Sequence, residues 1–240
     1  MRLDNPLLVR WEFASEERLN KRNAILRSLA EGENPEDAAV AAVEDAHAAR
    51  VLDAGSGTGE LAERFARDLG LEVHAIDISP RMVELTRNRG IDAQIADIES
   101  IPFDDAEFDC VFAGWVLYHA PDLDKAIAEC VRVLQPGGRL VAATIGEDNL
   151  AEVWELFEDG ERRVPVSFNR VNGADLLRPH FARVEQRDVD VTLVFPDVES
   201  IRGFVASTID RAHLAPSLPR VAVPFRAIAR HTVFVAEKAG

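Results

Sequence analysis

Cysteine is scarce in this chain, with Cys110 and Cys130 the two in 240 residues. Cys110 falls in an expected strand and Cys130 on the apolar stripe of an expected helix, so both read as small core residues. Neither a disulfide framework nor a cysteine metal cluster can be built from them. Positive charge is also short: 27 lysines and arginines face 42 acids, for a formal net charge of −15. Nucleic acids and anionic membranes both draw on Lys and Arg, so this surface disfavours either as a partner. Arg162, Arg163 and Arg170 are a local exception that could meet an acidic substrate, and read more simply as a solvated face. Long apolar runs are missing as well. The amino terminus, MRLDNPLLVRWEF, has one three-residue apolar run, Leu7 to Val9, and no cleavage pattern. That argues against a secretory signal or membrane anchor and makes the cytoplasm the expected location. His47, His74, His180, His213 and His231 are scattered without ligand spacing, so no metal is expected. There is no repeat, low-complexity stretch or interdomain linker, and the length suits a single α/β domain over 1–240.

What is present is concentrated in Val51 to Gly59, VLDAGSGTG. Val51, Leu52 and Ala54 suit a parallel strand covered on both faces. Gly55, Gly57 and Gly59 allow a sharp turn and a close ligand approach, and the following helix offers its unpaired N–H groups there. A nucleotide-like ligand fits. Dinucleotide-binding proteins use G-x-G-x-x-G at this place, whereas here the spacing is G-x-G-x-G with Glu60 next. Asp53 beside the turn repels a diphosphate and welcomes an ammonium.

Leu61, Ala62, Phe65, Ala66 and Leu69 make one helical stripe, Gly70 ends it, and Glu72 to Asp77 reads as the second strand. Asp77 then stands at the strand end where open α/β sheets bind ligands, 24 residues after Asp53, able to accept both hydroxyls of a ribose. A role as a helix N-terminal acid is already filled by Ser79-Pro80. A third strand, Ile91 to Ile98, ends at Asp97. A fourth, from Glu107 to Ala113, delivers Gly114 to His119 to the same edge. The helix Asp122 to Leu134 carries apolar residues at 123, 126, 127, 130, 131 and 134, and Arg139 to Ile145 is the fifth strand.

Asp53 with the three glycines resembles the first motif of class I S-adenosylmethionine-dependent methyltransferases. The run FDCVFAGWVLYHAPDLDKAIAECVRVLQPGGRLV closely resembles their type 11 group, which includes ubiquinone and menaquinone methyltransferases. The resemblance covers roughly residues 48 to 146 and implies S-adenosylmethionine as cofactor. It places Asp53, Gly55, Ser56, Gly57 and Gly59 around the amino-acid end, Asp77 and Ile78 at the ribose, and Asp97 and Ile98 at the adenine. Gly114 and Trp115 complete the implied cofactor set, Trp115 either packing on the adenine or sulfonium or lying in the core. The implied fold is a Rossmann-like seven-stranded sheet, order 3-2-1-4-5-7-6, with helices on both faces.

The flanks should carry substrate identity. Ser15 to Leu29 and Pro35 to His47 read as two helices, an N-terminal lid over 1–48 ahead of a cofactor core over 49–146. After it, 147–240 should supply a helix at Leu150 to Phe157, a short extended piece at Val164 to Phe168 and a helix ending near His180. The sixth strand should lie within Phe181 to Phe195, a cap helix over Val198 to Thr208, and the last strand over His231 to Glu237. His119 is the candidate catalytic base, with a structural role beside the helix at Asp122 as the alternative. Tyr118, Trp11 and Trp154 are the expected substrate residues, with Phe13, Phe157 and Phe168 shaping the pocket. The expected activity is methyl transfer to a small organic molecule. A non-catalytic cofactor-binding protein of the same fold and a NAD-linked oxidoreductase are the alternatives. The accepting atom, among O, N, C and S, and the oligomeric state stay open.

Overall fold

Alternation along the central strands explains the layering. Leu52, Ile76, Val111 and Leu140 point to one face of a sheet, and Val51, Ala75, Phe112 and Val141 to the other, and all are buried. Strands covered on both faces must read as nearly continuous apolar runs, and these do. The computed structural model describes residues 4–5, 16–157, 166–208 and 211–240. Trp11, Phe13, the Arg162-Arg163 pair and the start of the expected extended piece at 164 lie outside them.

The described elements begin with α1 (Glu17–Leu29), β1 (Ala30–Glu31) and α2 (Pro35–Glu44). The alternating series follows: β2 (Arg50–Ala54), α3 (Glu60–Asp68), β3 (Glu72–Asp77), α4 (Pro80–Asn88), β4 (Asp92–Ile95), β5 (Phe108–Gly114), α5 (Leu123–Val133) and β6 (Leu134–Ile145). The chain closes with α6 (Ala151–Trp154), α7 (Gly173–Leu177), β7 (Arg183–Phe195), α8 (Val198–Ala206) and β8 (Phe225–Glu237). Sheet order is β1-β7-β8-β6-β5-β2-β3-β4. Taken without β1, the strands run 3-2-1-4-5-7-6, as the resemblance implies. The eighth strand is the difference: Ala30 and Glu31 pair antiparallel with Leu193 and Thr192, covering the outer edge of β7.

The strands from β4 across to β6 are parallel neighbours, and β8 and β7 are added antiparallel. β8 begins at Phe225 rather than His231, and all 13 of its residues pair with β7. Its inward residues there are Ala227 and Ala229, too small to mark a strand in the sequence, although both are buried. β6 is recorded from Leu134, with a bulge before Arg139 takes up the ladder.

Three cores result. α5 and α7 cover one face through Ala126, Ile127, Cys130 and Leu177. α2 and α3 cover the other through Ala39, Val43, Ala62 and Phe65. The third core gathers α1, α6 and α8 around Val189 to Phe195 of β7 and the Ala227 and Ala229 positions of β8. α2 is thus part of the sheet's helical cover, not the partial lid expected of it: Ala39, Ala42 and Val43 are fully buried against the sheet. α1 alone keeps a position at the strand ends.

Candidate active site

The glycine turn is built from three glycines with three different duties. All have left-handed backbones, with φ +87° at Gly55, +53° at Gly57 and +76° at Gly59. A Cβ on Gly55 would meet Val116 at 2.5 Å, and one on Gly59 would meet the Thr86 backbone at 2.8 Å. A Cβ on Gly57 would meet nothing within 4 Å. Protein packing therefore dictates the outer two, and Gly57 faces open space where a ligand can approach the backbone. The turn is fastened to β3, since the Gly55 and Ser56 N–H groups donate to the Ile76 carbonyl at 2.8 and 3.0 Å.

Asp77, at the end of β3, completes that fastening. Its Oδ2 accepts from the Gly57 N–H at 2.9 Å and its Oδ1 from the Ser79 N–H at 2.8 Å. Each carboxylate oxygen has a second lone pair, so both remain available to a pair of ribose hydroxyls. Burial pushes Asp77 up to about 6, against the pull of the two N–H groups. Asp53 is more extreme, 1% exposed and pushed up to about 8, first by burial and then by the negative charge of Asp77. A buried acid whose charge is opposed by its surroundings is a fit for an ammonium group, which would supply the missing countercharge.

The third acid differs. β4 stops at Ile95, short of the expected strand end, because Asp97 enters a tight turn and bridges to Ser100. Asp97 is exposed, and its Oδ1 accepts the Glu99 N–H at 2.9 Å, leaving Oδ2 toward solvent. Ile98 beside it is buried in the first core, whereas Ile78 is half-buried beside Asp77.

At the end of β5, Gly114 is required because a Cβ would overlap the Phe112 ring at 2.5 Å. Trp115 follows with φ +53°, an uncommon backbone for a bulky residue. Its N–H donates to the Ala143 carbonyl at 2.8 Å, and its indole Nε1 donates to His231 Nδ1 at 3.1 Å. The indole thus runs across β6 toward β8. β4 and Asp97 lie in the opposite direction along the sheet. His231, set aside in the sequence as one scattered histidine, is the residue that sequence reasoning missed. Its partner stands 116 positions away, and no local pattern signals such a pair.

Tyr118 and His119 share a single 3-10 turn, Leu117–His119, with ring centroids 4.5 Å apart. Burial pushes the Tyr118 phenol up to about 12, against the pull of the nearby Arg22 on α1. Tyr118 packs on the first core. Two salt bridges fix α1 at either side of the turn: Glu16 to Arg81 at the start of α4, and Arg27 to Glu60 at the start of α3. A cavity of about 260 Å³ opens between α1, α3 and α4, lined in part by Glu16, Asn20, Thr58 and Arg89 and by none of the three strand-end acids.

Other expected pocket residues lie elsewhere. Trp154 packs in the third core, 6.0 Å from the Phe204 ring and under the Arg211 guanidinium at 4.4 Å. Phe168 is fully buried against Phe234 in the first core, and Phe157 packs on the third. Arg170 is an ion-pair partner of Asp188 and Asp190. Among the described residues no group of three or more metal-binding side chains gathers, and no helix is long and apolar enough to cross a membrane.

Residues 52–142 match the protein family described as Methyltransferase domain. Over 168 residues the chain is 33% identical to a malonyl-[acyl-carrier protein] O-methyltransferase of Serratia marcescens, covering 66% of this chain and 64% of that one. It is 34% identical to a ubiquinone/menaquinone biosynthesis C-methyltransferase of Vibrio cholerae, covering 65% and 62%. The chain thus spans less than two thirds of the length of these relatives. A possible histamine N-methyltransferase of Thermotoga maritima shares the fold, with a TM-score of 0.59 at 19% identity over 95% of this chain and 98% of that one. The chain carries a class I S-adenosylmethionine-dependent methyltransferase domain, with S-adenosylmethionine as its cofactor. Within that class, the match over residues 52–142 is to the type 11 group.

Proposed function

We propose that this protein is an enzyme that transfers a methyl group from S-adenosylmethionine to a small organic molecule. The observation that carries the reading is the pair Asp53 and Asp77 at the carboxyl ends of adjacent parallel strands, Asp77 bonded to the Gly57 N–H, with Asp97 in the turn that follows β4. Asp53 would hold the ammonium, Asp77 and Ile78 the ribose, and Asp97 and Ile98 the adenine. Gly55, Ser56 and Gly59 shape the turn between them. When bound, the cofactor supplies an electrophilic methyl group.

His119 is the proposed base. A hydroxyl or thiol acceptor must lose a proton as its atom bonds to carbon, and an imidazole nitrogen in hydrogen-bond reach takes it near neutral pH. Tyr118 would border the acceptor, with Trp11 proposed on the lid side. Trp154, in the third core, would act on the acceptor only through the packing of that region. The O-methyltransferase and C-methyltransferase relatives agree on methyl transfer and differ in accepting atom, so neither substrate is carried over. The net charge of −15 supports a small molecule over nucleic acid or an anionic membrane. Two buried free cysteines suit a reducing cytoplasm.

The test is incubation with radiolabelled methyl donor and fractionated cell extract. Label should enter a metabolite fraction; transfer to RNA or protein alone would overturn the substrate class. In that assay His119→Ala should lower turnover by about 10²–10⁴ with nearly unchanged affinity for S-adenosylhomocysteine. A lower melting temperature with turnover intact would make His119 structural instead.

A further inference from the structure

Trp115 and His231 form a hydrogen-bonded pair on the β6 and β8 side of the sheet. The Trp115 backbone directly flanks the glycine turn, since its neighbour Val116 abuts Gly55. Its side chain leaves that turn, crossing the end of β6 to reach β8. An indole N–H is a donor only, so His231 Nδ1 must be the acceptor and the ring proton must sit on Nε2. His231 is held from both sides, with Ile145 of β6 and Val189 of β7 as its register partners. Arg170 bonds the His231 carbonyl and pairs with Asp190. Burial, followed by the positive charge of Arg170, lowers the imidazole to about 4 against the opposing pull of Asp190, so the ring stays neutral and keeps its acceptor. A left-handed backbone at a tryptophan persists only where its surroundings over-determine it, and the bonds at the two ends of Trp115 do so.

We infer that His231 is a positioning residue for Trp115, and that the indole it holds forms a wall on the methyl-acceptor side of the site. The inference rests on the methyltransferase reading, which assigns the β3 and β4 side to the adenosine and leaves the β6 and β8 side for the acceptor. The indole packs on the second core and is only partly buried, so part of its apolar surface stays accessible. Acceptor selection then depends on a residue of the last strand, remote from every motif.

The test uses the full chain with Trp11→Phe and Trp154→Phe, which leaves Trp115 as the single tryptophan. In that background His231→Phe removes the acceptor and His231→Gln keeps one. Trp115 should become more accessible to acrylamide and shift its emission in His231→Phe, and return toward the starting signal in His231→Gln. An unchanged signal in His231→Phe, or Gln behaving as Phe does, would overturn the positioning role. Trp115→Phe in the otherwise unaltered chain tests the wall independently. S-adenosylhomocysteine affinity by calorimetry should stay within about threefold, and a loss of about tenfold or more would put the indole on the cofactor. If the unaltered chain failed to bind S-adenosylhomocysteine, the methyltransferase reading would fall while the Trp115 emission result still decided the pair.

Discussion

The two halves of this sheet use their strands differently. From β4 to β5 the strands are short and parallel, and each has a functional candidate at or near its carboxyl end: Asp97 in the turn after β4, Asp77, Asp53 and Gly114. From β6 to β7 the sheet turns antiparallel, β7 and β8 run 13 residues each, and a separate core fills their far end. Parallel strands bring their carboxyl ends to one edge, so successive βα units deliver side chains to a common ligand. Antiparallel strands bring alternate ends to that edge, and what they contribute is a rigid surface. One half carries the residues its motifs specify as candidates for binding, and the other supports through residues that only the completed fold brings near.

The largest expected effect breaks the comparison on the binding side. Asp77→Ala deletes the acceptor of the Gly57 and Ser79 N–H groups as well as the proposed ribose bonds. At about 1.5–3 kcal/mol for each of two charge-assisted bonds, S-adenosylhomocysteine affinity should fall by about 10²–10⁴ in calorimetry. On the other side, Asp197→Ala removes the capping box of α8. It should cost about 1 kcal/mol of stability and leave cofactor affinity alone. Equal affinity losses from the two would erase the distinction between the halves.

A sharper contrast lies within the turn itself. Gly55→Ala meets Val116 at 2.5 Å in a left-handed backbone and should destabilise the fold by about 2–4 kcal/mol. Gly57→Ala has room for its methyl and should cost about 1–2 kcal/mol, for backbone strain alone. Its affinity for S-adenosylhomocysteine should nonetheless fall, because the methyl occupies the ligand's approach. Thermal melts beside calorimetry would expose the error if Gly57→Ala bound normally.

Legibility in the sequence follows the same division. The glycine turn, Asp53 and Asp77 near their strand ends and the α5 stripe are set by spacing within some tens of residues, and the structure has them where that spacing predicts. The adenine-side strand was read long because Ala96 to Ile98 continues an apolar alternation that a turn at Asp97 interrupts. Other misreadings are non-local. α2 looked peripheral because it stands outside the βα series, yet its Ala and Val face fits the sheet beside α3. Trp154 and Phe168 looked like pocket aromatics because an isolated aromatic does not reveal which core receives it. β1 owes its two residues to pairing with Leu193 and Thr192, far along the chain.

The last effect concerns protons, and it distinguishes the buried acid of the binding half from an ordinary carboxylate. Asp53 is raised from 3.8 to about 8. Between those values the folded chain holds a proton that the unfolded chain has lost, so the contribution of Asp53 to stability declines as pH rises through that window. A ligand ammonium beside Asp53 reverses the preference, favouring the carboxylate and expelling the proton. Cofactor affinity should then tighten from about pH 5.5 to 7.5, by up to about tenfold per unit, below the range where an amino group loses its own proton. Calorimetry at about pH 7 in two buffers of different ionisation enthalpy should register release of close to one proton on S-adenosylhomocysteine binding. Asp53→Asn, which has no proton to lose, should bind more weakly and release almost none. Equal proton release by the two proteins would mean that Asp53 does not ionise when the ligand binds, and its pairing with the ammonium as described would fall.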